Sequence, residues 1–237
     1  MTARIYVTPL SNPSKAVAAM AAHKRLPHRV VSLPSGLHPF LVRAAGFPGK
    51  TVPALELADG RKVQGSLAIS RALDEIEGPP LFPRDPAARR AVQEAEQWGH
   101  DNLQPLARRM FRWAVVRDVS LHRWVVGEVA ALPAPALVAL LTKPIVRQLA
   151  ADAGSQDELV REDVRRLPSL LDRVDDLIAA GTIGAPMPNA ADFQILASVR
   201  VLLEFKALGD LEGRRSARCA RRLFPDWEGP IPYFELP

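Results

Sequence analysis

Gly49-Lys50-Thr51-Val52-Pro53-Ala54-Leu55-Glu56-Leu57, followed by Val63-Gln64-Gly65-Ser66-Leu67-Ala68-Ile69, is the stretch whose reading decides the fold. Val52-Pro53 enters a short apolar strand, Asp59-Gly60 supplies a hairpin turn, Lys62 to Gln64 forms the returning strand, and Ser66 is placed to cap a helix. Proline has no amide hydrogen to give to a sheet ladder, so at a strand entrance it marks a bend. A cis bond there would leave the backbone groups of Val52 free to hold an extended peptide by strand-like pairing.

Working outward toward the N-terminus, Ala3 to Thr8 alternates as a strand does, Pro9 to Asn12 turns, and Pro13 to Lys24 reads as a helix with alanine-rich faces. Asn12 is a suitable N-cap and Pro13 a suitable first helical residue, since neither needs a donor there. Ser11 then sits just outside a helix N-terminus, where the positive end of the dipole favours an anion such as a thiolate. Ser14 lies one turn further on, and Tyr6 is a third hydroxyl nearby. Any one serine near a helix start is more often only a cap or a solvated hydroxyl. His28 to Leu33 is a second strand ended by Pro34-Ser35-Gly36, and Pro39 to Ala45 a short helix closed by Gly46. After Ser66, Ile69, Leu73 and Ile76 share one helical face. Residues 78–86 contain four prolines, as befits a linker.

This order of elements resembles the N-terminal half of the glutathione S-transferases, and specifically their serine-type members. The resemblance implies a thioredoxin-like α/β domain over residues 1–77, a linker at 78–86 and an all-helical domain over 87–237. In that family the residue before a cis-proline pairs with the cysteinyl backbone of glutathione, which points to Val52 and Pro53. A helix-start serine holds the γ-glutamyl carboxylate, which Ser66 matches, and Lys50 would contact a glutathione carboxylate. A serine in the loop after the first strand donates to the sulfur. Counting back from the apolar Val17, Ser11 is the match, with Ser14 the second choice; the tyrosine-type position falls nearer Val7 than Tyr6, on the opposite strand face. The family places Glu or Gln just before the capping serine, whereas this chain has Gly65.

The second half reads as helices. From Pro86 to about Arg117 the apolar positions include Val92, Ala95, Leu103, Leu106 and Met110, with a bend expected at Pro105. The resemblance implies that the far half of this helix faces the sulfur and lines the pocket for an electrophile, with Met110, Trp113 and Val116 as candidates; each could equally be plain core. Trp124 to Thr142 approaches the apolar length of a membrane span, but Gly127, Glu128, Pro133 and Pro135 interrupt it. A buried helix broken at Pro133-Ala134-Pro135, followed by a segment from Ala136 to Ala151, is expected, covering the pocket or forming a subunit contact. Ser155-Gln156-Asp157-Glu158 has capping-box spacing and opens a helix to Ala180, bent near Pro168. Asn189-Ala190-Ala191-Asp192 opens a helix apolar on every side, the expected centre of the helical domain, and it resembles the family's helix-start motif with Asn in place of Ser or Thr; Asp192 is then structural. Arg214, Arg215, Arg218, Arg221 and Arg222 read as a solvated helix face around Cys219. The aromatic, proline-rich tail should lie across the helical domain as irregular chain, near the pocket mouth.

Composition removes other classes. A single cysteine, Cys219, allows neither an internal disulfide nor a dithiol motif, so a reducing compartment is the simplest reading. The N-terminus runs straight into a strand without the apolar core of a signal peptide, which points to the cytoplasm. The five histidines show no metal spacing, and there is no P-loop or dinucleotide fingerprint. Residues 1–80 carry ten Lys/Arg against five Asp/Glu, whereas residues 81–237 carry 21 of each. The excess positive charge thus falls in the half that would bind the anionic tripeptide. A nucleic-acid surface would want interleaved aromatics that this half lacks. The expected activity is a glutathione transferase that activates the thiolate for attack on a small electrophile, with no metal and as a possible homodimer. A non-catalytic scaffold of the same fold, a glutathione-dependent isomerase or dehalogenase, and a disulfide reductase relying on Cys219 are the other classes. A scaffold need not bind glutathione at all, and a reductase would need disulfide exchange through Cys219.

Overall fold

The computed structural model describes residues 2–129, 132–227 and 231–237. Residues 130 and 131, within the apolar stretch read as a broken helix, lie outside the described residues. The element order opens β1 (Ala3–Val7), α1 (Asn12–His23), β2 (His28–Ser32), α2 (His38–Ala44), β3 (Ala54–Glu56), β4 (Lys62–Gln64) and α3 (Ser66–Asp74). The four strands lie in the order β2-β1-β3-β4. β1 and β2 are parallel, as the crossover through α1 requires, and β3 runs antiparallel to both β1 and β4. The pairing of Ile5 with Leu55 and of Tyr6 with Ala54 sets the two faces of the sheet. Ile5 and Leu55 are fully buried toward α1 and α3, while Tyr6 and Ala54 pack with Val42 and Phe47 beneath α2. Tyr6 meets Phe47 edge-on at 5.3 Å between ring centres, a preferred aromatic geometry, and its hydroxyl donates to Glu56 Oε2 at 3.2 Å.

The helical part comprises α4 (Pro86–Arg117), α5 (Val119–Trp124), a π-helical turn (Val125–Val129), α6 (Pro135–Asp152), α7 (Asp157–Ala179), α8 (Ala190–Leu202), a 3₁₀ turn (Lys206–Leu208) and α9 (Arg215–Leu223). Every residue of α8 is buried, and it packs against α4, α1 and α9. Its capping box forms as expected: the Asn189 side chain accepts from Ala191 and Asp192, and Asp192 Oδ2 accepts from the Asn189 amide at 2.9 Å. The buried polar groups of α8 are tied to its neighbours. Ser198 Oγ accepts from Asn12 Nδ2 at 2.8 Å, which fixes the start of α1 against the central helix. One apolar core therefore runs without interruption from the α1 side of the sheet to Phe234.

Several local expectations need correction. The N-cap of α1 is Ser11, whose side chain accepts from the Ser14 amide at 3.4 Å; Asn12, expected as the cap, is the first helical residue and points instead to α8. The N-cap of α3 is Gly65 rather than Ser66, with φ +90°, a region that glycine adopts without steric penalty. Ser155 does not cap α7: Gln156 stands at that position without a side-chain bond, and Ser155 Oγ donates to Arg109 O at 3.1 Å. Both α4 and α7 continue through their internal prolines, Pro105 and Pro168, which is compatible with the bends expected there. The helix beginning at the Pro133-Ala134-Pro135 step matches the segment expected over Ala136 to Ala151, but burial holds only in part: Val125 and Val126 of the π turn are buried, whereas Leu137, Leu140 and Leu141 of α6 are more than half exposed. Of the late arginines, Arg215, Arg218, Arg221 and Arg222 are exposed, as a solvated face requires, whereas Arg214 is half-buried and ion-paired with Asp172 and Asp175, and Arg221 also pairs with Glu212. Among the described residues no helix is long and apolar enough to cross a membrane.

Candidate functional site

Where the two halves meet, a cleft of about 220 Å³ opens between the sheet loops and the helices α4 and α6. The loop from β1 to α1 contributes Ser11, the loop from β2 to α2 contributes Ser35, the start of α2 contributes His38, and the strand entrance contributes Thr51 and Val52. The opposite wall comes from Phe111 and Val115 on α4, Val125 and Val126 in the π turn, and Val138 and Val146 on α6. Loop polar groups therefore face a helical wall that is mainly apolar and also carries Arg108, Arg112, His122 and Thr142, a mixture suited to holding a polar reagent beside a largely apolar one.

Ser11 is half-buried at the rim of the cleft. As the cap its oxygen accepts from Ser14, so its proton remains to be donated outward, at the positive end of the α1 dipole. Ser14, the second choice, is buried and outside the cleft, with its hydroxyl 3.5 Å from the Thr8 amide that donates to it. Tyr6 is likewise turned away, toward Glu56.

The Val52–Pro53 peptide bond is cis. Among the described residues nothing bonds to the amide or carbonyl of Val52, whereas Pro53 O accepts from Gly65 N at 3.0 Å and Thr51 O from Gln64 Nε2 at 2.6 Å. The neighbouring backbone is thus held in the protein while Val52 faces the cleft. Ser66 is buried and does not line the cleft; its hydroxyl has no hydrogen-bond partner in the chain. Beside it, Gly65 leaves open space where a side chain would project. Lys50 is exposed, with Nζ 3.8 Å from Asp152 Oδ2 of α6, so it spans the two walls instead of standing ready for a ligand.

The expected pocket wall is one residue out of phase. Met110 and Trp113 are buried in the core, the indole Nε1 of Trp113 donating to Asp157 Oδ1 at 2.9 Å, and Val116 faces a separate groove between α4, α5 and α6. The face of α4 turned to the cleft carries Arg108, Phe111, Arg112 and Val115. Successive residues are rotated by about 100° around a helix, so a step of one residue exchanges core for cleft.

The cleft also holds polar groups that the sequence did not single out. Burial holds His38 near pKa 4, with the adjacent Arg112 pushing the same way, so its imidazole is neutral. His38 Nδ1 has no partner. Burial also lowers His122; Thr142 Oγ1 donates to Val138 O at 2.7 Å and lies 3.2 Å from His122 Nε2, which therefore carries the proton. Burial, reinforced by Arg108 beside it, brings Arg112 down to about 10, still charged at neutral pH. No group of three or more metal-binding side chains occurs among the described residues.

Residues 5–81 match the family profile of the glutathione S-transferase N-terminal domain. That stretch is about a third of the chain, and it is similar to the N-terminal domain of the glutathione S-transferases. The likeness in fold extends over the whole chain. A glutathione S-transferase from Methylobacterium radiotolerans, solved in complex with glutathione sulfonate, superposes with a TM-score of 0.65 at 18% identity, covering 100% of this chain and 98% of its own. The beta-etherase LigF from Sphingobium gives 0.64 at 16% identity, covering 94% and 99% respectively. FzlA from C. crescentus gives 0.60 at 22% identity, covering 98% and 96%. No curated protein sequence matches the chain. At these identities the structural likeness establishes the glutathione S-transferase fold: a small mixed sheet with its helices, followed by a mainly helical region.

Proposed function

We propose that the chain binds glutathione at the cleft, lowers the pKa of its thiol and transfers the sulfur to an electrophilic carbon held against α4 and α6. The observation that carries this reading is the meeting of Ser11 and the unpaired backbone of Val52 on one side of a cleft whose other side is mainly aliphatic and aromatic. Val52 would exchange backbone hydrogen bonds with the cysteinyl unit. The start of α3 would take the γ-glutamyl carboxylate: its cap, Gly65, makes no side-chain bond, so its first-turn amides are open to an anion, and the Ser66 hydroxyl is unpartnered. The Ser11 proton would then bond to the sulfur.

The thiolate attacks carbon, a carbon–sulfur bond forms, and the leaving group departs with its electron pair while the thiol proton passes to solvent. A free thiol has a pKa of about 8.5, and each unit of lowering corresponds to about 1.4 kcal/mol of preference for the thiolate. A hydroxyl donor together with a helix N-terminus supplies one to two such units, about 1.4 to 2.7 kcal/mol. The test is an ultraviolet difference titration of bound glutathione in the wild-type chain and in Ser11→Ala. The bound thiol should ionise about one unit or more below free glutathione, and the variant should return most of that shift. An unshifted thiol in the wild type would exclude thiolate activation, and failure of glutathione to bind at all would leave a scaffold of this fold.

A further inference from the structure

Arg108 and Arg112 stand one turn apart on α4, and both face the cleft. No aspartate or glutamate is among the described residues that line it. The side chain of Arg108, exposed at the cleft rim, makes no hydrogen bond or ion pair among the described residues. Arg112 uses one of its five N–H groups, Nη1 donating to Leu149 O at 2.8 Å, and has no ion-pair partner; the nearby Asp152 is engaged by Lys50. A third group completes the arrangement, because His38, 9% exposed, lines the same cavity with Nδ1 unpaired and lies close enough to Arg112 to feel its charge. Arg112 is half-buried and feels only the attraction of Asp152, which Lys50 shares, while Arg108 is exposed at the rim of the cleft; two like charges one turn apart, with no carboxylate in the described lining, are relieved by a bound anion that reaches both. Phe111 lies between the two arginines in sequence and projects into the same space, beside Val115 and the aliphatic wall of α6.

From this we infer that the acceptor half of the cleft takes a small apolar molecule carrying an anionic group, a carboxylate or a sulfonate, whose charge sits on Arg108 and Arg112 and whose apolar body lies against Phe111 and α6. The inference names the substrate class for the proposed transfer and rests on that reading for the reaction, but the subsite itself requires no thiol. Glutathione also carries carboxylates, so the decisive point is whether the arginines hold the acceptor or the tripeptide.

The experiment is calorimetric titration of the full chain, without glutathione, with para-nitrobenzoate and with its neutral counterpart para-nitrobenzamide, repeated on Arg108→Gln, Arg112→Gln and Arg112→Lys. Arg108→Gln breaks no bond within the protein, so it remains informative if Arg112→Gln fails to fold. The wild type should prefer the carboxylate by about tenfold or more, and Arg108→Gln should erase most of that ratio, with Arg112→Lys intermediate because it keeps charge but loses the planar fork. Equal affinity for the two probes in the wild type overturns the inference, as does an equal loss for both in Arg108→Gln. A glutathione titration of the same variants completes the test: if Arg108→Gln weakens glutathione while leaving the carboxylate preference intact, the arginines serve the tripeptide and the inference falls. A carboxylate preference in a chain that binds no glutathione would support the subsite and remove the transferase.

Discussion

Replacing Ser66 with alanine separates a ligand contact from a structural hydroxyl, because the two roles predict changes of opposite sign. In the unliganded chain Ser66 is 2% exposed and its oxygen has no partner. A buried polar group left unbonded is unfavourable by about 1–3 kcal/mol, so removing it should not destabilise the fold. Because Gly65 is the cap and Ser66 the first helical residue, alanine sacrifices no capping bond, and its higher helix propensity adds a few tenths of a kcal/mol. Against this stands the loss of a few buried contacts around one oxygen atom. The expected result in urea unfolding is a stability equal to the wild type or up to about 1 kcal/mol higher. If the hydroxyl donates to the γ-glutamyl carboxylate, the same variant loses a charge-assisted bond of about 1.5–3 kcal/mol, a rise in Kd of about 10-fold to 150-fold by calorimetry. An unchanged Kd would refute the carboxylate contact. A loss of stability beyond about 1 kcal/mol would show that the hydroxyl is serving the fold.

Two further outcomes follow from the same structure. His38 is held near pKa 4 in the fold against an ordinary value of 6.5, so between those limits the unfolded chain binds a proton that the folded chain does not. Stability should fall as pH drops through that window by at most about 3 kcal/mol, and urea unfolding of His38→Gln at neutral and mildly acidic pH should show a shallower slope, reduced rather than abolished because His23 and His122 are shifted the same way. Gly99 lies where α4 crosses α8: a methyl group there would sit 2.5 Å from Ile195 Cγ1 and 3.7 Å from its Cα. Gly99→Ala should lower stability by up to about 2 kcal/mol, the overpacking exceeding the gain of about 1 kcal/mol in helix propensity, and Ile195→Ala should relieve that increment in a double-mutant cycle.

Much of the chain was legible because its punctuation is local. Proline, glycine and the Asp59-Gly60 turn fixed the strands of the N-terminal part, and β4 occupies the residues read for it, Lys62–Gln64. The limits of α4, Pro86–Arg117, and the capping box of α8 were equally readable, since propensity and side-chain-to-backbone bonds act over a few residues. Ser11 and Ser66 were singled out through the resemblance, but the residue that caps α1 was not: which of two adjacent polar residues caps a helix depends on which side chain a distant element claims, and Ser198 claims Asn12.

The sequence alone determined the order and type of the elements, the bend before β3 and the burial of α8, because each follows from periodicity and from residues that permit few backbone conformations. Tertiary structure decided which face of α4 meets the cleft. Met110, Trp113 and Val116 are as apolar as Phe111 and Val115, so hydrophobicity could not choose between faces about 100° apart; the packing of α4 on α8 and α6 did. That choice also set the exposed Arg108 and the half-buried Arg112 along the cleft, where in isolation they read as ordinary surface charge. A charge acquires specificity only when the surroundings withdraw water and withhold a counter-ion, and that condition is set by residues far apart in the chain.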